Sequence, residues 1–161
     1  MTQTTAYFVD QAGCAAPYGR RPSRVNGCGW IAAYNYCLAL GALLPGEGPA
    51  EVRAALAPGL RFGGALGTGP LRLARWLRTR LPGVRLCRPG RAPAPGILLY
   101  WTGRALHYAA YVPAPGGADA LHFLNADTGP GAPALSLRAF LRTRAALPVG
   151  LCLAQKAEKR R

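Results

Sequence analysis

Acidic residues, lysine and histidine are scarce in this chain of 161 residues. Six aspartates and glutamates stand against 20 basic residues, of which 18 are arginine, and there are only two histidines. A formal charge of +14 is of the kind that attracts nucleic acid or an acidic lipid surface. However, abundant alanine, glycine and proline accompany the arginines, as in GC-rich coding sequences, and the sequence contains no zinc-finger spacing and no aromatic RNA-binding signature. Nucleic acid is therefore not the favoured partner.

Long apolar runs and paired cysteines are missing as well. No run reaches the roughly 18 apolar residues of a membrane span, and the N-terminus lacks the basic and apolar regions of a secretory signal. We therefore expect no membrane span and a cytoplasmic location. The five cysteines are odd in number, irregularly spaced and without a C-x-x-C pair, which argues against a disulfide framework and against structural zinc. We expect no metal and no cofactor.

Helical signals dominate the first half of the chain. Residues 1–25 form an irregular N-terminal arm in this interpretation, because glycines and prolines interrupt any periodicity. The segment 28–40 is apolar on nearly every side, which predicts a buried central helix. Two further helices are predicted over about 49–57 and 70–81, each opened by a proline.

Strand-like runs dominate the second half. They predict strands over about 84–87, 97–101, 105–112, 121–125 and 149–154. Ser136 is expected to cap a helix that ends near Arg144, and residues 155–161 form a polar tail. Helices followed by a meandering antiparallel sheet predict an α+β fold, organised as one domain over residues 1–161 with the central helix packed on the sheet.

Cys28 opens the predicted central helix and lies between Gly27 and Gly29. A helix N-terminus carries partial positive charge and unpaired N–H groups, which should lower the pKa of a thiol there. The glycines remove side-chain bulk, so a substrate backbone can approach the sulfur. The pattern predicts a nucleophilic cysteine.

A nucleophilic cysteine needs a base, and His107 lies in a predicted strand. Asn125 and Asp127 lie at the end of the next one, while His122 faces the other side of that strand. If the turn between the strands centres on Gly116, His107 pairs with Asn125, and if it centres one residue later, His107 pairs with Asp127. Either partner would orient the ring, and we favour Asn125 because strand pairing holds it more firmly. The central helix is then expected to dock against this face.

The order of these residues resembles that of papain-like cysteine peptidases, in particular small bacterial bacteriocin-processing peptidases of the double-glycine type. Cys28-Gly29 before a buried helix resembles their nucleophile motif, and the run 107–112 resembles their histidine strand. The run 121–127 resembles the strand that ends in the third catalytic residue. The likeness covers about residues 24–155.

This resemblance implies a papain-like domain that cleaves a peptide or amide bond in a peptide or protein substrate. Cys28 would form an acyl-enzyme, His107 would act as the base, and Asn125 or Asp127 would orient it. Relatives carry an oxyanion-binding glutamine six residues before the nucleophile, where this chain has Pro22. We expect Asn26 to supply the donor instead, with Gln11 as the alternative.

A second interpretation keeps the fold without the chemistry. It is a catalytically inactive papain-like domain that binds a peptide or an anionic partner through its arginines. Thiol chemistry separates the two interpretations, since a binding module has no need of an ionised Cys28 at neutral pH.

Overall fold

The computed structural model describes residues 9–60, 67–88, 95–115, 119–125, 133–144 and 147–155. Helices and an antiparallel sheet make up this part of the chain, which confirms the predicted α+β class. The elements are β1 Pro17–Tyr18, β2 Arg21–Pro22, α1 Ser23–Asn26, α2 Cys28–Ala39, α3 Pro49–Leu56, α4 Pro70–Arg78, β3 Val84–Cys87, β4 Gly96–Trp101, β5 Leu106–Pro113, β6 Leu121–Leu124, α5 Leu137–Arg144 and β7 Leu147–Gln155.

The helices begin where local signals predicted. α3 and α4 start at Pro49 and Pro70, because the fixed φ of proline suits the first helical position and the missing N–H costs nothing there. Ser136 caps α5, with its Oγ accepting the backbone N–H of Ala139 at 3.2 Å. None of the helices in the described residues is long and apolar enough to cross a membrane.

The N-terminal arm is more ordered than predicted. β1 and β2 form a short antiparallel hairpin in which Tyr18 pairs with Arg21. Gly19, at a φ of 67°, makes the turn between them, in a backbone conformation that glycine adopts without steric cost. α1 follows directly. The prediction of an irregular arm is therefore wrong over residues 17–25, which form β1, β2 and the start of α1. Residues 9–16 carry no helix or strand, and residues 1–8 and the tail beyond 155 lie outside the described residues.

The main sheet has five strands in the order β3-β7-β4-β5-β6, and all neighbours are antiparallel. β4, β5 and β6 form the predicted meander. β7, the last strand among the described residues, inserts between β3 and β4, so the sheet as a whole is not a meander. This non-local pairing leaves no local pattern in the sequence.

The two faces of the sheet carry separate cores. α2 is buried at every position from Cys28 to Cys37, and its cluster includes Tyr108 and Ala110 of β5. The opposite face of the sheet packs against Phe140 of α5. The predicted buried helix on an antiparallel sheet is thus observed, and its first residue, Cys28, reaches β5.

Candidate active site

Cys28 is the first residue of α2. The helix has no side-chain cap, because glycine occupies the capping position, so a side chain does not take the first N–H groups of the helix. The backbone N–H groups of Tyr108 on β5, of Gly29 and of Cys28 itself lie near the Cys28 sulfur, and each acts to lower the pKa of its thiol. These three donors favour the thiolate over the thiol.

Burial nevertheless outweighs these donors. Cys28 is only 7% exposed, and this burial raises the pKa of its thiol, although the backbone N–H groups act in the opposite direction. The predicted lowering of this pKa is therefore wrong, because the free-energy cost of removing a thiolate from water exceeds the stabilisation that the helix N-terminus provides. In the resting structure the sulfur is a thiol, and its ionisation needs a base.

His107 is half-buried on β5. Its Nε2 lies 2.8 Å from the backbone carbonyl oxygen of Asn125. Since a carbonyl only accepts hydrogen bonds, this contact assigns the proton to Nε2 and leaves a lone pair on Nδ1. The ring also packs edge-on against Tyr100, with centroids 5.4 Å apart. His107 is therefore held with its Nε2–H on the Asn125 carbonyl, which in the neutral ring places the free lone pair on Nδ1.

Cys28 and His107 lie on different sides of β5. His107 shares a face of the sheet with Tyr100, its partner on β4, whereas α2 packs against Tyr108 on the other face. The expectation that α2 docks against the face of His107 is thus wrong, because alternate strand residues point to opposite faces. Among the described residues the Cys28 sulfur makes no hydrogen bond to His107. It contacts the N–H of Tyr108, the amide directly after His107.

The pairing of β5 with β6 differs from the favoured register. Tyr111 lies opposite Phe123 and Ala110 opposite Leu124, a register that would align His107 with residue 127 and not with Asn125. The ladder ends before either pair forms, because Asn125 adopts a positive φ of 65°, which asparagine tolerates better than most residues. Asp127 lies outside the described residues.

Asn125 therefore meets His107 through its backbone, not through its amide side chain as predicted. The side-chain Oδ1 accepts the backbone N–H of Gln11 at 2.9 Å. The side-chain Nδ2 lies 3.4 Å from Gln11 Oε1 and 3.5 Å from the carbonyl oxygen of Tyr108. The side chain thus ties the N-terminal arm to the first part of β5, and the backbone carbonyl orients the imidazole. Strand-pairing rules predict which side chains are neighbours, so they could not predict this contact with a backbone carbonyl.

The two residues predicted to bind an oxyanion, Asn26 and Gln11, are both buried. The Nδ2 of Asn26 donates to the carbonyl of Tyr18 at 2.8 Å, and the Nε2 of Gln11 donates to the carbonyl of Arg24 at 3.2 Å. Both amides hold backbone near the start of α2. Asn26 lines the same groove as Cys28.

A hydroxyl network beside Cys28 was not predicted. The Tyr18 hydroxyl and Thr68 Oγ1 lie 2.6 Å apart, and the Tyr108 hydroxyl donates to the carbonyl of Thr68 at 3.0 Å. Thr68 packs directly on Gly29, where a Cβ atom would lie 2.7 Å from Thr68 Oγ1. Burial raises the pKa of Tyr18 to about 12 and raises that of Tyr108 as well. Both phenols therefore keep their protons at neutral pH.

An open groove of about 800 Å³ runs past the cysteine. Three exposed apolar side chains lie along it: Val25, Leu71 and Leu106. Arg72 and Arg104 are the charged members of its lining among the described residues. The groove therefore suits an apolar chain, and its charge favours a ligand with a negative group.

Comparison with models of protein families, with characterised proteins and with solved structures finds no match to this chain. The functional assignment therefore depends on the geometry around Cys28.

Proposed function

We propose that this protein is a papain-like cysteine hydrolase that cleaves a peptide or amide bond through an acyl-enzyme on Cys28. One observation carries the proposal: the Cys28 sulfur lies at a helix start beside a groove, and three backbone N–H groups act on it to favour the thiolate, the first of them from Tyr108, the residue that follows His107. A cysteine buried only for packing needs neither the donors nor the groove.

In the proposed reaction, Nδ1 of His107 accepts the thiol proton while the Cys28 sulfur attacks the substrate carbonyl carbon. The carbonyl electron pair moves to the oxygen and gives a tetrahedral anion. When this anion collapses, the C–N bond breaks and His107 returns the proton to the leaving amine. Water then hydrolyses the thioester with His107 as base. The Asn125 carbonyl, which accepts the Nε2 proton, stabilises the imidazolium in both steps.

The raised pKa of Cys28 fits a proton transfer that accompanies attack and does not precede it. His107 shares its face of the sheet with Tyr100 and is not part of the groove lining, so the reaction requires its imidazole to turn toward the sulfur when substrate binds. Catalytic hydrogen bonds are often long in free enzymes and tighten in the complex.

The second candidate is the inactive papain-like domain that binds a peptide or an anionic partner. It is favoured by the raised pKa of Cys28 and by the two arginines on the groove. Here Arg72 and Arg104 would hold the ligand, and Cys28 would have no chemical role.

Acetylation by p-nitrophenyl acetate at about pH 7.5 tests the proposal, with mass spectrometry locating the acetyl group. We expect one acetyl group on Cys28, none on that position in Cys28→Ala, and an acylation rate about 10²- to 10⁴-fold lower in His107→Ala, the usual contribution of a general base. His122→Ala is the matched control, because His122 is exposed on β6 and should acylate normally. Wild-type protein that leaves Cys28 unmodified would favour the binding domain.

A further inference from the structure

The proposed attack places negative charge on the substrate oxygen, which calls for a hydrogen-bond donor beside Cys28. The two residues predicted to supply it, Asn26 and Gln11, donate their amide groups to the backbone carbonyls of Tyr18 and Arg24. These contacts fix both amides on the main chain, and the hydroxyl groups around the sulfur offer a further donor.

The Tyr18 and Thr68 hydroxyls contain two hydrogens between them, and one is used in the 2.6 Å bond that joins them. Whichever group donates in that bond, one O–H hydrogen remains, and the described residues offer it no further acceptor. Both side chains are only 1% exposed, so the acceptor has to be a small group that enters the groove beside Thr68. A buried donor without an acceptor is costly and uncommon, which points to a ligand that accepts it.

The position of Thr68 identifies which hydroxyl faces that ligand. Thr68 lines the groove together with Cys28, whereas Tyr18 does not. Thr68 is also held on two sides, by the Tyr108 hydroxyl on its carbonyl and by close contact with Gly29 at the start of α2. The consistent arrangement has the Tyr18 O–H donating to Thr68 Oγ1, which leaves the Thr68 hydrogen for the groove.

We infer that the Thr68 hydroxyl donates the hydrogen bond that stabilises the oxygen anion formed when Cys28 attacks a carbonyl, and that Tyr18 is the positioning residue that orients this hydroxyl. The inference rests on the proposed function. No proton changes owner in this contact: the O–H stays on Thr68, the anion accepts the hydrogen bond, and the bond weakens when the C–N or C–O bond of the substrate breaks and the carbonyl reforms.

Two reactions of the same sulfur separate this role from a structural one. Acylation by p-nitrophenyl acetate develops an oxygen anion, whereas alkylation by iodoacetamide displaces iodide from a saturated carbon and develops none. In Thr68→Val, which keeps the branched shape, we expect the acylation rate to fall about 10²- to 10³-fold, as for loss of one oxyanion donor, while alkylation of Cys28 changes less than about threefold. Thr68→Ser keeps the hydroxyl and should stay within about tenfold of wild type in acylation.

Tyr18→Phe tests the positioning role without removing the donor. The Thr68 hydroxyl remains but loses its partner, so acylation should fall about tenfold with alkylation nearly unchanged. Tyr34→Phe removes another buried phenol, at 2% exposure on α2, and Thr79→Val removes a hydroxyl that donates to Trp76 in α4. Both controls should react like wild type.

The outcomes distinguish a failure of this inference from a failure of the proposed function. If Cys28 is acylated in wild type but equally fast in Thr68→Val, the inference is wrong and the proposed function stands. An equal loss of acylation and alkylation in Thr68→Val and Tyr18→Phe would make the hydroxyls structural and also overturn it. If wild-type Cys28 is alkylated but never acylated, the proposed function itself fails. Should Thr68→Val lose its folded circular dichroism spectrum, Tyr18→Phe and Thr68→Ser still decide the question.

Discussion

The two ends of α2 are built in opposite ways. At the C-terminal end, Gly41 adopts a φ of 63°, and the N–H groups of Gly41 and Ala42 donate to Leu38 and Cys37 at 3.1 and 2.8 Å. This Schellman motif satisfies the last carbonyls of the helix with its own backbone. At the N-terminal end, Gly27 offers no capping side chain, and N–H groups of the first turn donate to the Cys28 sulfur. At the C-terminal end the backbone satisfies the helix carbonyls, whereas at the N-terminal end the N–H groups of the first turn face the Cys28 side chain beside the groove.

Each end contains a buried cysteine, and the comparison shows what separates them. Burial raises the pKa of Cys37 to about 12 and raises that of Cys28 too. Cys37, however, is fully buried in the apolar core, whereas Cys28 lines the groove and has three backbone N–H groups near its sulfur that act to lower its pKa. Burial is common to both, so backbone donors and access mark Cys28 as the candidate nucleophile.

The largest expected difference between the two cysteines is in their reaction with iodoacetamide. At about pH 8.5 in the native protein, we expect Cys28 to be alkylated at least a hundredfold faster than Cys37, because Cys37 reacts only when the core opens and opening costs about 5 kcal/mol or more. Peptide mass spectrometry of quenched samples measures both rates. In concentrated guanidinium chloride the two rates should converge. Equal alkylation rates of Cys28 and Cys37 in the native protein would contradict the prediction.

The second prediction compares two glycines near the ends of α2, Gly29 in its first turn and Gly41 just after its last residues. In Gly29→Ala the new methyl group would meet Thr68 at 2.7 Å, so we expect acylation of Cys28 to fall about a hundredfold through displacement of its surroundings. In Gly41→Ala there is open space, but the positive φ costs about 1–2 kcal/mol of stability. Urea unfolding and acylation kinetics on both variants test this. Slower acylation in Gly41→Ala than in Gly29→Ala would contradict it.

The third prediction concerns pH. Because the pKa of Cys37 is about 12 in the folded chain and near 8.5 in an unfolded one, the folded state holds more protons above pH 8.5. Its stabilising contribution is thus complete below that pH and is lost as the pH rises, by up to about 1.4 kcal/mol per pH unit. Cys37→Ala should flatten the fall in the free energy of unfolding between about pH 8.5 and pH 10, measured in urea. Cys28→Ala should flatten it in the same direction, and unchanged slopes in both variants would refute the raised pKa values.

The parts of the fold that were predicted correctly depend on local chemistry. Pro49, Pro70 and Ser136 mark helix starts through their own backbone and side-chain properties. The register of β5 with β6 depends instead on the length of the connection between them. The two registers considered differ by two residues and keep every side chain on the same face, so the apolar pattern does not choose between them.

The candidate site divides in the same way. Cys28 at a helix start was predicted and is observed, because glycine spacing and apolar periodicity are visible in the sequence. The direction of the shift in the Cys28 pKa was predicted wrongly, because the burial of the sulfur depends on how α2 packs against β5. Thr68 belongs to no motif and reaches Cys28 only through packing on Gly29. The role of the Asn125 carbonyl is likewise invisible, since every residue has a carbonyl.

All three donors to the Cys28 sulfur belong to the main chain. Any amino acid except proline supplies such an N–H, so ordinary substitutions at Gly29 or Tyr108 change the surroundings of the sulfur without deleting a donor. Most residues around the cysteine could therefore be substituted while the environment of the sulfur stays the same, provided that the backbone follows the same path. The environment of the sulfur thus depends on the path of the backbone, and a proline or an ester bond at position 108 would remove one of its N–H groups.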